Sequence, residues 1–226
     1  MIPARGGSKR IPRKNIRLFR GKPIIAWSIA AARDSGCFDR IIVSTEDDEI
    51  ADVAIENGAE VPFRRPQELA DDYASTAAVI GHAVTVLAKH LGPSDAVCCL
   101  YPTAPLIKSD DLGRACAILE ARECAYVFPV ARYPSPIQRA LHRNEEGRVC
   151  MFDPAMFERR SQDLEEAWHD AGQFYLARPQ TWLAQQTIFC EASIGLELPA
   201  HRVVDIDTLE DWKRAEVTAE VLARSG

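Results

Sequence analysis

The 226-residue sequence predicts an α/β fold with a mainly parallel sheet flanked by helices. Short β-branched runs alternate with longer helical patterns as far as Val130. One of the runs, "DAVCCLYP", is apolar without interruption, as a strand covered on both faces must be. A glycine loop, "ARGG", follows the first strand directly, and ligands in such folds bind outside the carboxyl ends of strands. With 47% apolar residues and no linker-like tract, the chain reads as one domain over 1–226.

The elements follow in order. Met1 to Ala4 form a strand stub, short enough to suggest a clipped first strand, and a helix begins after Pro23. "RIIVSTE" (40–46) is a strand, and "DDEIADVAIENG" (47–58) is a helix with early acids and a glycine stop. The next helix, 75–92, has Ser75 or Thr76 as cap and Gly92 as terminator. A strand (95–102), a helix capped by Ser109 (109–123) and a strand (125–130) complete the regular part. Residues 133–169 leave the sheet as an arm: a hairpin turning at "NEEG", then a short acidic helix. That arm suits a surface insertion, a dimer contact or a substrate lid. The chain returns through "GQFYLARPQTWL" and the strand "HRVVDID", then ends on a helix opened by the capping box Thr208-x-x-Asp211.

Charge is distributed unevenly. The first 22 residues hold eight of the 27 Lys and Arg and no acid, whereas the remainder carries 19 basic against 33 acidic residues. Such an island on an acidic chain calls for an anion. No apolar run reaches the roughly 20 residues that span a bilayer, and Arg5, Lys9 and Arg10 break any signal-peptide core. Seven cysteines without a C-x-x-C pair, and five scattered histidines, read as reduced thiols in a cytoplasmic protein without zinc.

Four stretches carry chemistry. Gly6 and Gly7 let several N–H groups converge on an anion, while Arg5, Lys9, Arg10, Arg13 and Lys14 add full charges suited to a polyphosphate. The loop is not a Walker A motif, because Pro12 interrupts it and the helix starts only after Pro23. A solvated basic arm or nucleic-acid patch is the alternative. The Gly-Gly pair, the preceding strand, and Ile11 and Ile16 in place of stacking aromatics count against it. Asp205 and Asp207, two apart at the end of an apolar strand, point to one face and suit a Mg²⁺ bridging to phosphates; otherwise they serve a helix end and a surface ion pair. Arg64 and Arg65 lead to the helix N-terminus at Ser75, an anion or base-edge site or an ordinary capped helix. Tyr101 offers a hydroxyl and a flat face on the ligand side, or packs.

The motifs "IPARGGSKRIPRKN", "RRPQELADDYAST", "PTAPL", "DAGQFY" and "VVDIDTLEDW" stand in the order found in sugar-acid cytidylyltransferases. Over nearly its whole length the chain resembles that family, the CMP-sialic acid synthetases. The resemblance implies a nucleotide-diphosphosugar transferase fold, Rossmann-like, that dimerises through an arm like 133–169. It implies transfer of CMP from CTP to a nonulosonic acid, with Mg²⁺ as cofactor and neither nucleic acid nor membrane as partner. By matching motif, Arg5, Gly6, Gly7, Ser8 and Lys9 receive the phosphates, with Arg5 and Lys14 catalytic through the charge they offer. Asn15 positions the nucleotide, and Arg65 with the backbone of Ala74 and Ser75 reads cytosine. Asp205 and Asp207 hold the metal, and Tyr101, Arg139, Gln173 and Tyr175 meet the sugar acid. Sialic acid enzymes usually carry Gln where Tyr101 stands, Ser at Ala104 and an Asn-Gly version of "DAGQFY". These departures imply a different nine-carbon acid, pseudaminic acid, with N-acetylneuraminic or legionaminic acid as alternatives.

Overall fold

The computed structural model describes residues 1–71 and 73–224. Strands β1 (Ile2–Pro3), β2 (Leu18–Phe19) and β3 (Lys22–Pro23) precede helix α1 (Ile24–Asp34). Then come β4 (Val43–Ser44), α2 (Asp48–Glu56), α3 (Thr76–Leu91), β5 (Val97–Leu100), α4 (Ser109–Ala121) and β6 (Val127–Arg132). The arm contributes β7 (Leu141–Arg143) and β8 (Val149–Met151), and β9 (Trp168–Asp170) leads back to the sheet. The chain finishes with β10 (Phe174–Ala177), α5 (Pro179–Leu183), β11 (Ile194–Glu197) and α6 (Leu209–Arg224).

β1 lies parallel to β4, and the Leu100 N–H donates to the Met1 carbonyl at 2.9 Å, carrying the sheet across to β5. Beyond β5 the order is β10, β6, β11. β11 runs parallel to β6, but β10 runs antiparallel to both its neighbours. The sheet is therefore mainly parallel, as expected, with β10 and the short β9 as its antiparallel strands. The arm explains these two. It leaves and re-enters at the carboxyl end of β6, so the returning strand must run back against β6. Val130 faces Asp170 and Val127 faces Leu176, so four residues of β6 correspond to seven on the returning chain. "DAGQ" is the bulge that absorbs the excess: Gly172 takes φ +60° and its N–H donates to Asp170 Oδ1 at 3.0 Å.

Local chemistry sets the helix ends. Asp47 caps α2 by accepting from the Ile50 N–H, and Ser75 caps α3 by accepting from the Ala78 N–H. Thr208 and Asp211 form the expected reciprocal box at the start of α6, with bonds of 3.2 and 2.8 Å. Ser109 is not the cap of α4. It is the first helical residue, and Asp111 reaches back to the Lys108 N–H.

Two other expectations fail for tertiary reasons. In place of an acidic helix, the end of the arm has one 3-10 turn (Ser161–Asp163) and then extends, because Tyr133 bonds Ala167 and β9 pairs with β6. "HRVVDID" is no strand: a 3-10 turn (Ala200–Arg202) precedes an extended stretch without a ladder partner. That stretch is held by side chains instead. Gln173 donates to the Arg202 carbonyl at 3.0 Å, and Lys14 to the Ile206 carbonyl at 2.7 Å.

One core packs α1, α2 and α4 against one face of the sheet, around Ile25, Val43, Leu100 and Leu176. A second, around Tyr126, Tyr175 and Trp182, covers the other face beneath α3 and α5. Asp111 and Arg202 are both buried, and the guanidinium makes two bonds to the carboxylate at 2.5 and 3.1 Å. Asp111→Ala strands the Arg202 charge in the interior, so we expect a loss of about 3–5 kcal/mol in urea denaturation. A loss below about 1 kcal/mol would mean that solvent reaches the pair.

Candidate functional site

The opening loop is anchored from below. Ile11 is buried with Phe19, Ile24, Ile206, Trp212 and Ala215, so the loop packs on α6 and on the residue between the two aspartates. Arg13 takes a left-handed conformation (φ 54°), and its guanidinium grips Asp47 at 2.5 and 2.9 Å and also bonds Glu49. Hydrogen bonding from Arg13 holds the Asp47 carboxyl below the usual carboxylate range. Arg13, grouped by sequence with the phosphate cations, is thus committed to clamping the loop on α2. Asn15 is buried and donates to the Arg5 carbonyl at 2.9 Å, and Glu46 accepts from the Gly6 N–H at 2.7 Å. A Cβ at Gly6 would collide with the Asp47 carboxylate, which is why this position has none.

The loop forms one wall of a cleft of about 330 Å³ at the carboxyl ends of β1, β4 and β5. That size suits a small ligand. Arg5, Ser8, Lys9, Lys14 and Asn15 line one side, Arg65 and Ala74 another, and Tyr101 and Asp207 complete it. Lys14 Nζ lies 3.5 Å and Arg10 Nη2 2.9 Å from Asp207 Oδ1. Asp205 is exposed overall, but the protein crowded around its carboxyl, and then the Asp207 charge, push its pKa up. Arg65 is buried against Ser44, bonding both its hydroxyl (3.1 Å) and its carbonyl. Burial lowers the Arg65 pKa, with Glu46 opposing the shift.

Sequence reasoning brought the remaining residues less directly to the cleft. Ser75 spends its hydroxyl on the α3 cap; Thr76 faces the cleft instead, with Oγ1 3.0 Å from the Tyr101 hydroxyl. Capping preference alone could not decide which of two adjacent hydroxyls points inward. Tyr175 and Gln173 lie behind the wall. The Tyr175 ring is 5.8 Å from that of Tyr101 and its hydroxyl donates to Asp170, while burial raises its pKa. Gln173 is buried, and among the described residues its Oε1 has no hydrogen-bond partner. Arg139 stays on the arm, bonded to the Arg159 carbonyl. Glu46 and Asp71 were missed. Glu46 holds Gly6, and the Asp71 carbonyl accepts from Arg5 at 2.9 Å. A lone acid after a strand carries no distinguishing pattern.

A cation-rich glycine loop facing Asp207, at the carboxyl edge of an α/β sheet, is the kind of site that receives a nucleotide polyphosphate, as in nucleotidyltransferases; Asp205 stands beside Asp207 but outside the cleft lining. The family profile of cytidylyltransferases matches residues 1–152. The pseudaminic acid cytidylyltransferase of Campylobacter jejuni is 45% identical over 98% of this chain and 95% of its own length. The CMP-N,N'-diacetyllegionaminic acid synthase of Legionella pneumophila is 34% identical over the same shares. Among solved structures, CMP:2-keto-3-deoxy-manno-octonic acid synthetase complexed with CTP has the same fold, with a TM-score of 0.71 over 100% of this chain and 98% of its own, at 16% identity. The chain belongs to the cytidylyltransferase family.

Asp205 supplies a direct check on the electrostatics. A carboxyl raised in the folded state contributes stability below its unfolded pKa and loses it as pH rises through the folded value. Asp207→Asn removes the largest cause after burial, so the Asp205 titration, followed by carboxyl ¹³C NMR, moves down toward the ordinary range. An unmoved midpoint would remove the Asp207 charge from the causes.

Proposed function

We propose that this chain transfers CMP from CTP to the anomeric hydroxyl of pseudaminic acid, releasing pyrophosphate, in the cytoplasm. The observation that carries the reading is the convergence of Arg5, Ser8, Lys9 and Lys14 on one cleft wall, facing Asp207 and bordered by Tyr101. The substrate follows from the 45% identity to the Campylobacter enzyme over nearly the full length of both chains. Among the described residues no helix is long and apolar enough to cross a membrane.

In this reading Arg5, Ser8 and Lys9, with the loop backbone at Gly7, bind the β- and γ-phosphates, while the Gly6 N–H, expected to join them, stays with Glu46. Lys14 holds its ammonium beside the α-phosphate, where negative charge grows as the hydroxyl attacks and pyrophosphate departs. Asn15 keeps the loop in register through the Arg5 carbonyl. Arg65, the backbone at Ala74 and Ser75, and the Thr76 hydroxyl receive the cytosine ring. Tyr101, Gln173 and Tyr175, with Arg139 from the arm, orient the sugar acid.

The carboxylate pair fits a hard divalent cation. Burial, and after it the Asp207 charge, raise the Asp205 pKa, and a cation would offset both. Asp205 and Asp207 would hold Mg²⁺, which supplies charge neutralisation to the triphosphate. Among the described residues no third His, Cys, Asp or Glu joins them, so water and phosphate oxygens would fill the remaining positions.

The arm would join two copies. Leu141, Val149, Phe152 and Phe157 are all more than half exposed on it, up to 74% for Phe157, an apolar surface that a second arm would cover.

Pyrophosphate release from CTP and Mg²⁺ is the test, with pseudaminic, legionaminic and N-acetylneuraminic acids offered separately. Release with pseudaminic acid alone is expected, and release with another acid alone would overturn the substrate. Lys14→Ala should lower kcat on the order of 100-fold or more with little change in KM for CTP. Equal losses in both would make Lys14 a binding residue. Phe152→Asp with Phe157→Asp should shift sedimentation from dimer to monomer; an unshifted dimer would place the interface elsewhere.

A further inference from the structure

A second cavity, of about 780 Å³, opens at the amino-terminal ends of the strands, on the opposite side of the sheet from the cleft. Met1, Ile42 and Val97 line its floor, and three of the seven cysteines, Cys37, Cys98 and Cys116, surround it. The function described above uses none of them.

Cys37 follows α1 through Ser35 and Gly36, which takes φ +66° and turns the chain back toward α4. The thiol is oriented locally, donating to the Ser35 carbonyl at 3.3 Å, while its own N–H donates to the Ser35 hydroxyl. Its sulfur rests on α4, 3.9 Å from where a Cβ on Gly113 would stand. Cys116 lies three residues further along the same helix, on the same face. Both thiols line the same cavity. Cys37 is exposed, Cys116 half-buried and Cys98 buried. Among the described residues no trio of ligating side chains is disposed around a metal, so the chemistry left to this pair is that of thiols.

We propose that Cys37 and Cys116 are a reversible dithiol–disulfide site that responds to a peroxide entering the second cavity. The exposed Cys37 attacks the peroxide as its thiolate, breaking the O–O bond. It becomes a sulfenic acid as water or alcohol leaves. Cys116 then attacks the Cys37 sulfur, the S–S bond forms, and the departing hydroxide takes the Cys116 proton as water. Overall two thiols give up two electrons and two protons to one peroxide. The order of events follows from the environments. Burial pushes the Cys116 thiol up to about 12, so it is the second sulfur to react, not the first. Closing the bond ties the end of α1 to the middle of α4 across the mouth of the cavity.

The test is made on the wild-type protein. It is treated with a slight excess of hydrogen peroxide, digested without reduction and mapped by mass spectrometry. The expected result is an intrachain Cys37–Cys116 crosslink that dithiothreitol reverses, with the intact mass lower by two hydrogens. Cys116→Ser should instead leave Cys37 as a sulfenic acid that dimedone traps, at least several-fold more than in the wild type. An interchain bond, a crosslink through Cys150, or oxidation of Cys37 to sulfinic acid as fast in wild type as in Cys116→Ser would each overturn the proposal. Because the readout is covalent, it is independent of cytidylyl transfer.

Discussion

The burial of Ile11 against Ile206 is the contact on which the site depends. It fastens a cation-rich loop near the start of the chain to the aspartate segment near the end, two stretches that share no backbone ladder. Each side alone is electrostatically unfavourable, one crowded with positive charge and the other with two carboxylates. Joined by a small apolar cluster, they stabilise one another, with Lys14 and Arg10 turned onto Asp207. Removing either isoleucine side chain would cost about 2–5 kcal/mol in packing. It would also release the geometry that puts charges of both signs on one ligand.

The other wall of the cleft depends on the returning strand. Because β10 lies between β5 and β6, Tyr175 arrives beside Tyr101, and Gln173 reaches the Arg202 carbonyl. The buried Asp111–Arg202 pair then connects α4 to the same segment. The Tyr101 wall is therefore supported by hydrogen bonds and one ion pair, whereas the loop wall combines apolar packing with the Arg13–Asp47 ion pair. Substitutions behind the Tyr101 wall have room to act without disturbing the loop wall, since the two share few supports.

Much of this was legible in the sequence, wherever the signal is local. The caps at Ser75 and Thr208, the Gly92 stop, and the glycine–cation loop all depend on residues within a few positions of one another. So do the family motifs. What escaped was set by distant partners. Asp47 and Glu49 captured Arg13, a pairing across 34 residues of sequence. The apparent strand "HRVVDID" found side chains in place of a ladder, and the acidic end of the arm was drawn out by pairing with β6. The antiparallel course of β10 could not be read from its own apolar residues, which suit either direction. It depends on which end of the sheet the arm returns to. The choice between Ser75 and Thr76 turned on side-chain direction, which composition does not encode.

The central position of β10 also bears on how the protein is made. Phe174 pairs with Leu100, so β5 must wait for a partner 74 residues further along the chain. At ribosomal speeds that interval is roughly 4–15 s. Throughout it β5, joined by β6 once that strand is made, presents an unpaired apolar edge, the feature that templates intermolecular strand addition. Contacts of such long sequence separation also form slowly. The vulnerable moment of this protein's life is thus its synthesis, before the strand that closes the sheet has left the ribosome.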